Sequence, residues 1–168
     1  MAHTRHKIPF ALAAALGLAA FAAPAIAQNA GAPSLSMPMD CEIGRSCWVQ
    51  NLVDLDTGPD RKDPFCGAAT FDTHKGTDIR VATIADMKKG IDIRAMASGT
   101  VLGLRNDMDD RLMVTPADRA AVKGRECGNG LVIDHGNAWT TQICHLAKGS
   151  VTVKKGERVG RGQVVGRM

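Results

Sequence analysis

The sequence predicts a mostly β protein: an antiparallel sheet or sandwich core with long loops, preceded by a signal peptide. Three observations carry this. From Ile91 onward, short segments alternate apolar and polar residues with period two. Glycines stand at the corners between those segments. The single helical candidate, Val81–Lys89, is short and ends at Gly90.

Taken in order, Arg5 and Lys7 precede an apolar run, Ile8–Ala23, that closes in Ala25-Ile26-Ala27. That pattern predicts a signal peptide over residues 1–27, cut before Gln28, and hence a periplasmic or secreted protein. The run is Ala-rich, broken by Pro24, and shorter than the roughly 20 residues a bilayer span needs. No stable membrane span is expected after cleavage. Residues 28–40 carry small and turn-forming residues and read as a flexible leader. Residues 41–69 read as a loop-rich extension with the turn cluster Asp56-Thr57-Gly58-Pro59-Asp60, and residues 70–168 as the folded domain.

Within that domain, Ile91–Ala95 and Gly99–Leu104 are expected strands. Gly130–Asp134 and Trp139–His145 form the arms of a hairpin turning at Gly136-Asn137. Val151–Val153 and Val159–Val165 make a further strand pair, and residues 105–125, charged and containing Pro116, read as an insertion loop.

Loss of residues 1–27 removes two basic residues and no acidic one, so the formal charge falls from +4 to +2. Nucleic-acid binders show a basic stripe with stacking aromatics. Here the mature part keeps only Trp48, Phe65, Phe71 and Trp139, which excludes nucleic acid as an expected partner.

All five cysteines, Cys41, Cys47, Cys66, Cys127 and Cys144, follow the predicted cut, in a compartment where disulfides persist. Cys41 and Cys47 flank a tight loop, and Cys127 and Cys144 are expected on opposite arms of the hairpin, so both bridges are plausible geometrically. Cys66 is left over, its partner expected outside these 168 residues.

His74 and Asp78, in His74-Lys75-Gly76-Thr77-Asp78, offer one nitrogen and one oxygen to a metal. Four residues apart, they would lie about 6 Å from each other on a helix and about 13 Å apart on a straight strand. Gly76 and the weak helical character of the segment argue for a bend that lets both side chains converge. By spacing alone the signal is weak. His145 is expected to share a strand face with Thr141 and Ile143, either beside a cleft or as a satisfied core histidine. His135 stands where the hairpin begins to turn, and a hydrogen bond holding that turn is its default role.

The order of these pieces adds to their content. Family members carry H-x-G-x-D, then a hairpin running from H-G to H-L, then V-x-x-G-x-x-V-x-x-G-Q, and finally P-H-L-H. The first three occur here in order, at His74–Asp78, His135–Leu146 and Val153–Gln163. The chain thus resembles the lysostaphin and LytM type of zinc metalloendopeptidase, with its duplicated hybrid motif fold, over about residues 70–168.

The resemblance implies Zn2+ as cofactor, with His74 and Asp78 as metal ligands and His145 as a catalytic histidine. It implies peptidoglycan as substrate and hydrolysis of its peptide cross-links as the reaction. The H-x-H motif that supplies the third ligand would follow Met168. The expectation is therefore a peptidase domain incomplete at its C-terminus and inactive as this chain. A non-catalytic cell-wall-binding or amidase-regulating protein of the same type is the alternative.

Overall fold

The computed structural model describes residues 31–168, so the expected signal peptide and the start of the leader lie outside the described residues. The elements in order are β1 (Cys47–Asn51), β2 (Asp78–Val81), α1 (Ile84–Lys88), β3 (Asp92–Arg94), β4 (Gly99–Arg105), α2 (Pro116–Ala121), β5 (Asn129–Gly136), β6 (Trp139–Leu146), β7 (Arg158–Val159) and β8 (Val164–Arg167). Every strand pairing is antiparallel. The protein is mostly β, as the alternation predicts.

Three sheets divide the work. The largest has the order β6-β5-β4-β7, while β3 pairs with β8 and β1 with β2 in two-stranded ribbons. The core gathers Val101, Leu131, Ile133, Ile143, Leu146 and Val159 from the large sheet, with Ile93 and Val165 from the β3–β8 ribbon and Val153 beside it. It contains no aromatic ring. Phe65, Phe71 and Trp139 are instead exposed. Close approach of β4 to β5 depends on Gly99, where an added Cβ would collide with the Asp134 carbonyl and the Ile133 side chain.

Upstream of β1, Arg94 N donates to Pro38 O at 2.7 Å and Met39 makes an antiparallel bridge to Ile93. Met39 is buried. Disulfides join Cys41 to Cys47 and Cys127 to Cys144, the two bridges that the sequence makes plausible, and Cys66 is free and exposed.

Several elements depart from expectation for local reasons. The helix expected over Val81–Lys89 starts only at Ile84, because residues 78–81 pair with β1 and the Thr83 hydroxyl caps the helix by accepting from Asp86 N. The insertion at 105–125 holds a helix, α2, where a loop was expected. Thr115 and Asp118 form a reciprocal capping box around Pro116, which fixes its start. Val151–Val153 forms no strand, although Thr152 N donates to Val165 O. The expected run Val159–Val165 is split into β7 and β8 by a turn in which Gln163 N donates to Gly160 O. The hairpin turns one residue later than predicted. Asn137 and Ala138 both have positive φ, 52° and 64°, and the pair Gly136↔Trp139 closes the turn.

Candidate functional site

The segment carrying His74 is shaped by backbone and carboxylate hydrogen bonds. Asp63 is buried and accepts from the amides of Phe65 and Gly67 through Oδ1 and of Ala69 through Oδ2. Those amides, Ala69 and Gly67 foremost, hold its carboxyl below the ordinary aspartate range against the opposing effect of burial. Asp54 acts similarly on the next stretch, accepting from the amides of Lys62, Asp56 and Thr73. The Lys62 amide is the main cause of its own lowered pKa. Leu52 N donates to Ala69 O, and Asp54 N donates to His74 O at 2.7 Å. This ladder locks the approach to His74, with Thr73 at φ 65°.

The side chain of His74 is fixed twice. Its ring lies 4.4 Å, centroid to centroid, from the exposed ring of Phe71. Its Nδ1 lies 2.6 Å from Leu52 O, and since a carbonyl can only accept, Nδ1 carries the proton and donates. In the neutral ring Nε2 is then a bare lone pair, and it stands 3.3 Å from Asp78 Oδ1. The other oxygen, Oδ2, accepts from Asn51 Nδ2 at 2.8 Å. The expected bend at His74–Asp78 therefore does bring both side chains together.

The pair suits a metal chemically and metrically. An imidazole nitrogen and a carboxylate oxygen are the donor types that zinc takes, and here they face one another. Two ligands each about 2.0–2.1 Å from a tetrahedral zinc stand about 3.3–3.4 Å apart, which matches the 3.3 Å here. The outward-turned Nδ1–H on a carbonyl is also how metal-bound histidines are oriented. Among the described residues, no cluster of three or more His, Cys, Asp or Glu side chains is disposed to hold a metal, so the donors brought together are these two.

His145 is held differently. Leu131 pairs with Ile143 but Asn129 with Leu146, so β6 carries one extra residue here, a bulge. His145 occupies it at φ 62°, with its N donating to Cys127 O at 2.9 Å. The expected face-sharing with Thr141 and Ile143 fails for this reason: those two are buried and His145 is exposed. No hydrogen bond or ion pair among the described residues joins His145 to His74 or Asp78. The Cys127–Cys144 bridge ends at its neighbour and pins the bulge.

His135 does not hold the turn. Its Nδ1 donates to Ser98 O at 2.9 Å, so its Nε2, 2.9 Å from Thr141 Oγ1, accepts from that hydroxyl. The ring ties the start of β4 to β6 across β5. Asn51, the Leu52 carbonyl, Asp63 and Phe71 were not anticipated from sequence. Asp63-Pro64 followed by Gly67 is a turn signature that marks the first of them as a local amide acceptor. Asn51 lies 27 residues from Asp78 and has no such signal.

Comparison with known proteins gives the family. Peptidase family M23 matches residues 72–168, a span that begins just before His74. A peptidoglycan DD-endopeptidase, ShyA of Vibrio cholerae, is 51% identical over 39 residues, 23% of this chain and 9% of that protein. A solved zinc-containing peptidase from Vibrio cholerae is 25% identical with a TM-score of 0.40, over 71% of this chain and 31% of its own. The chain thus corresponds to a small part of each relative's length. With more than half of its residues matched, the chain belongs to peptidase family M23, the group that includes the lysostaphin and LytM type.

Proposed function

We propose that the protein is an exported zinc metalloendopeptidase that hydrolyses peptide cross-links of bacterial peptidoglycan. The observation that carries the reading is the facing of His74 Nε2 and Asp78 Oδ1 at 3.3 Å, with the imidazole proton held on the far nitrogen by Leu52 O. Family membership and the peptidoglycan DD-endopeptidase among its relatives support the substrate class. The two disulfides suit an oxidising compartment outside the cytoplasm. No helix among the described residues is long and apolar enough to cross a membrane.

His74 and Asp78 would be two protein ligands, and no third is assigned among the described residues. When bound, zinc lowers the pKa of a coordinated water toward about 7 and polarises a carbonyl. Leu52 O keeps His74 in the tautomer that leaves Nε2 free, and Asn51 keeps Asp78 turned so that Oδ1 faces it. Phe71 covers one side of the His74 ring and limits the approach of water there. His145 is the proposed catalytic histidine: an exposed imidazole can take a proton from the attacking water or donate to the developing oxyanion.

The test compares the complete gene product with its His74→Ala variant on purified peptidoglycan. Release of soluble peptides should fall at least 100-fold in the variant, and chelation of the wild type should match it until zinc is restored. Equal release by both proteins would sink the reading. Sedimentation with peptidoglycan but no release by either would instead favour a non-catalytic wall-binding protein.

A further inference from the structure

The proposed ligand Asp78 is not free to choose how it presents its oxygens. It opens β2, opposite the last residue of β1, and the register there is irregular: Val49 pairs with Ile79 but Asn51 with Asp78. Regular pairing would set Gln50 against Asp78. The bulge at Gln50 replaces it by Asn51, whose shorter amide reaches Oδ2 at 2.8 Å. Both residues are partly buried, with the Asp78 side chain still 38% exposed, so the carboxylate stays open to a ligand on its free side.

We propose that Asn51 is a positioning residue of the metal site: by donating to Asp78 Oδ2 it restricts the carboxylate to one-oxygen coordination through Oδ1, next to His74 Nε2. This inference rests on the metal reading of His74 and Asp78. A carboxylate with both oxygens free can chelate a cation and raise its coordination number, whereas one capped on Oδ2 offers a single donor suited to a four-coordinate zinc. The adjacent Leu52 carbonyl performs the matching task for His74 at 2.6 Å. Asn51, the last residue of β1, and Leu52, just beyond it, therefore orient both proposed ligands. The Cys41–Cys47 bridge ends at the first residue of the same strand and ties it to the core, where Cys47 is buried.

The experiment measures Zn2+ affinity by competition with a chromophoric chelator, and the visible spectrum of the Co2+-loaded protein, on the complete gene product. Four forms are compared: wild type, Asn51→Leu, Asn51→Gln and His74→Ala. Asn51→Leu preserves size but removes the donor, and should weaken Zn2+ binding about 10- to 100-fold. It should also change the Co2+ d–d bands, since the freed Oδ2 would become available as an additional donor. Asn51→Gln retains an amide and should lose less affinity than Asn51→Leu, which separates hydrogen bonding from packing. Zn2+ affinity of Asn51→Leu within twofold of wild type, with an unchanged Co2+ spectrum, would overturn the positioning role. Equal losses in the Leu and Gln variants would overturn it too, since the effect would then be steric. If His74→Ala leaves Zn2+ binding unchanged, the metal reading itself fails and takes this inference with it.

Discussion

His74 and Asp78 stand on the β1–β2 ribbon and its loops, whereas His145 stands on the four-stranded sheet, and the two regions are built from different interactions. Around His74 nearly everything is polar: the amides gathered by Asp54 and Asp63, the Leu52 carbonyl, the Asn51 amide. Of the five residues of β1 only Cys47 is buried. The sheet that carries His145 is held by aliphatic packing, with Leu131, Ile133, Ile143 and Leu146 all in the core and a disulfide across the strand end. Polar frameworks fix direction, because hydrogen bonds are directional, but contribute little net free energy each. Apolar packing contributes the stability and fixes direction poorly. The proposed ligand pair sits where orientation matters, and the sheet anchors the rest.

The largest expected effect tests the sheet. Ile133 is fully buried, so Ile133→Ala should cost about 2–5 kcal/mol of global stability, read as a lower urea midpoint at constant m-value. His74→Ala should move that midpoint little while abolishing zinc-dependent hydrolysis. If both substitutions destabilise equally, the division into an apolar anchor and a polar orienting region is wrong. Next in size is the bridge at His145. Cys127 and Cys144 are 17 residues apart and Cys41 and Cys47 only 6, so chain entropy assigns about 3 kcal/mol to the first and about 2 kcal/mol to the second. Replacing each pair by serines and comparing urea midpoints checks the ranking. The smaller loss, at Cys41–Cys47, should nevertheless do more harm to zinc affinity, because that bridge holds the strand bearing Asn51.

What was legible in the sequence follows the same division. The sheet strands were readable because alternation at residues 99–104 and 130–145 is a local signal, and the disulfides because each bridge brackets a single local feature. The His74–Asp78 pair was readable as two residue types four apart, but not the reason they converge. That reason lies at Asn51 and Leu52, more than 20 residues upstream, brought in by strand pairing. His145 shows the opposite failure. Period-two alternation placed it on the inner face, and a single bulge residue reversed that, an event with no mark in the residue string. By contrast, α2 carries a local mark: Thr115-Pro116-Ala117-Asp118 is a capping box with proline at the first helical position.

Acid should separate the two regions. Because Asp63 is lowered by the amides of Ala69, Gly67 and Phe65, its stabilising effect is fully present above the ordinary aspartate range and is lost as pH falls through the lowered native value. Asp54, lowered chiefly by the Lys62 amide, acts in the same direction. Hydrogen-exchange protection at Phe65, Gly67 and Ala69 should therefore fall below about pH 4 while amides of β5 and β6 stay protected. Asp63→Asn should show the weaker protection already at pH 7 and little further change on acidification. Parallel loss in both regions would remove the basis for treating the His74 loop as a separately held unit.

The smallest effect lies at the tip of the sheet hairpin and has the opposite sign. Asn137 and Ala138 both adopt left-handed backbone conformations, which the two-residue turn requires to match the twist of β5 and β6. Asparagine tolerates this region, but alanine pays roughly 1–2 kcal/mol through its Cβ. Glycine at 138 would remove that strain, offset by its larger unfolded-state entropy, about 0.4–1 kcal/mol. The net expectation for Ala138→Gly is a gain of about 0.5–1 kcal/mol, visible as a higher urea midpoint. Zn2+ affinity should not change, since the turn lies at the far end of β6 from His145 and touches neither Asn51 nor the His74 loop. A gain in stability accompanied by altered zinc binding would mean that the hairpin and the ligand pair are coupled, and that the sheet does more than anchor.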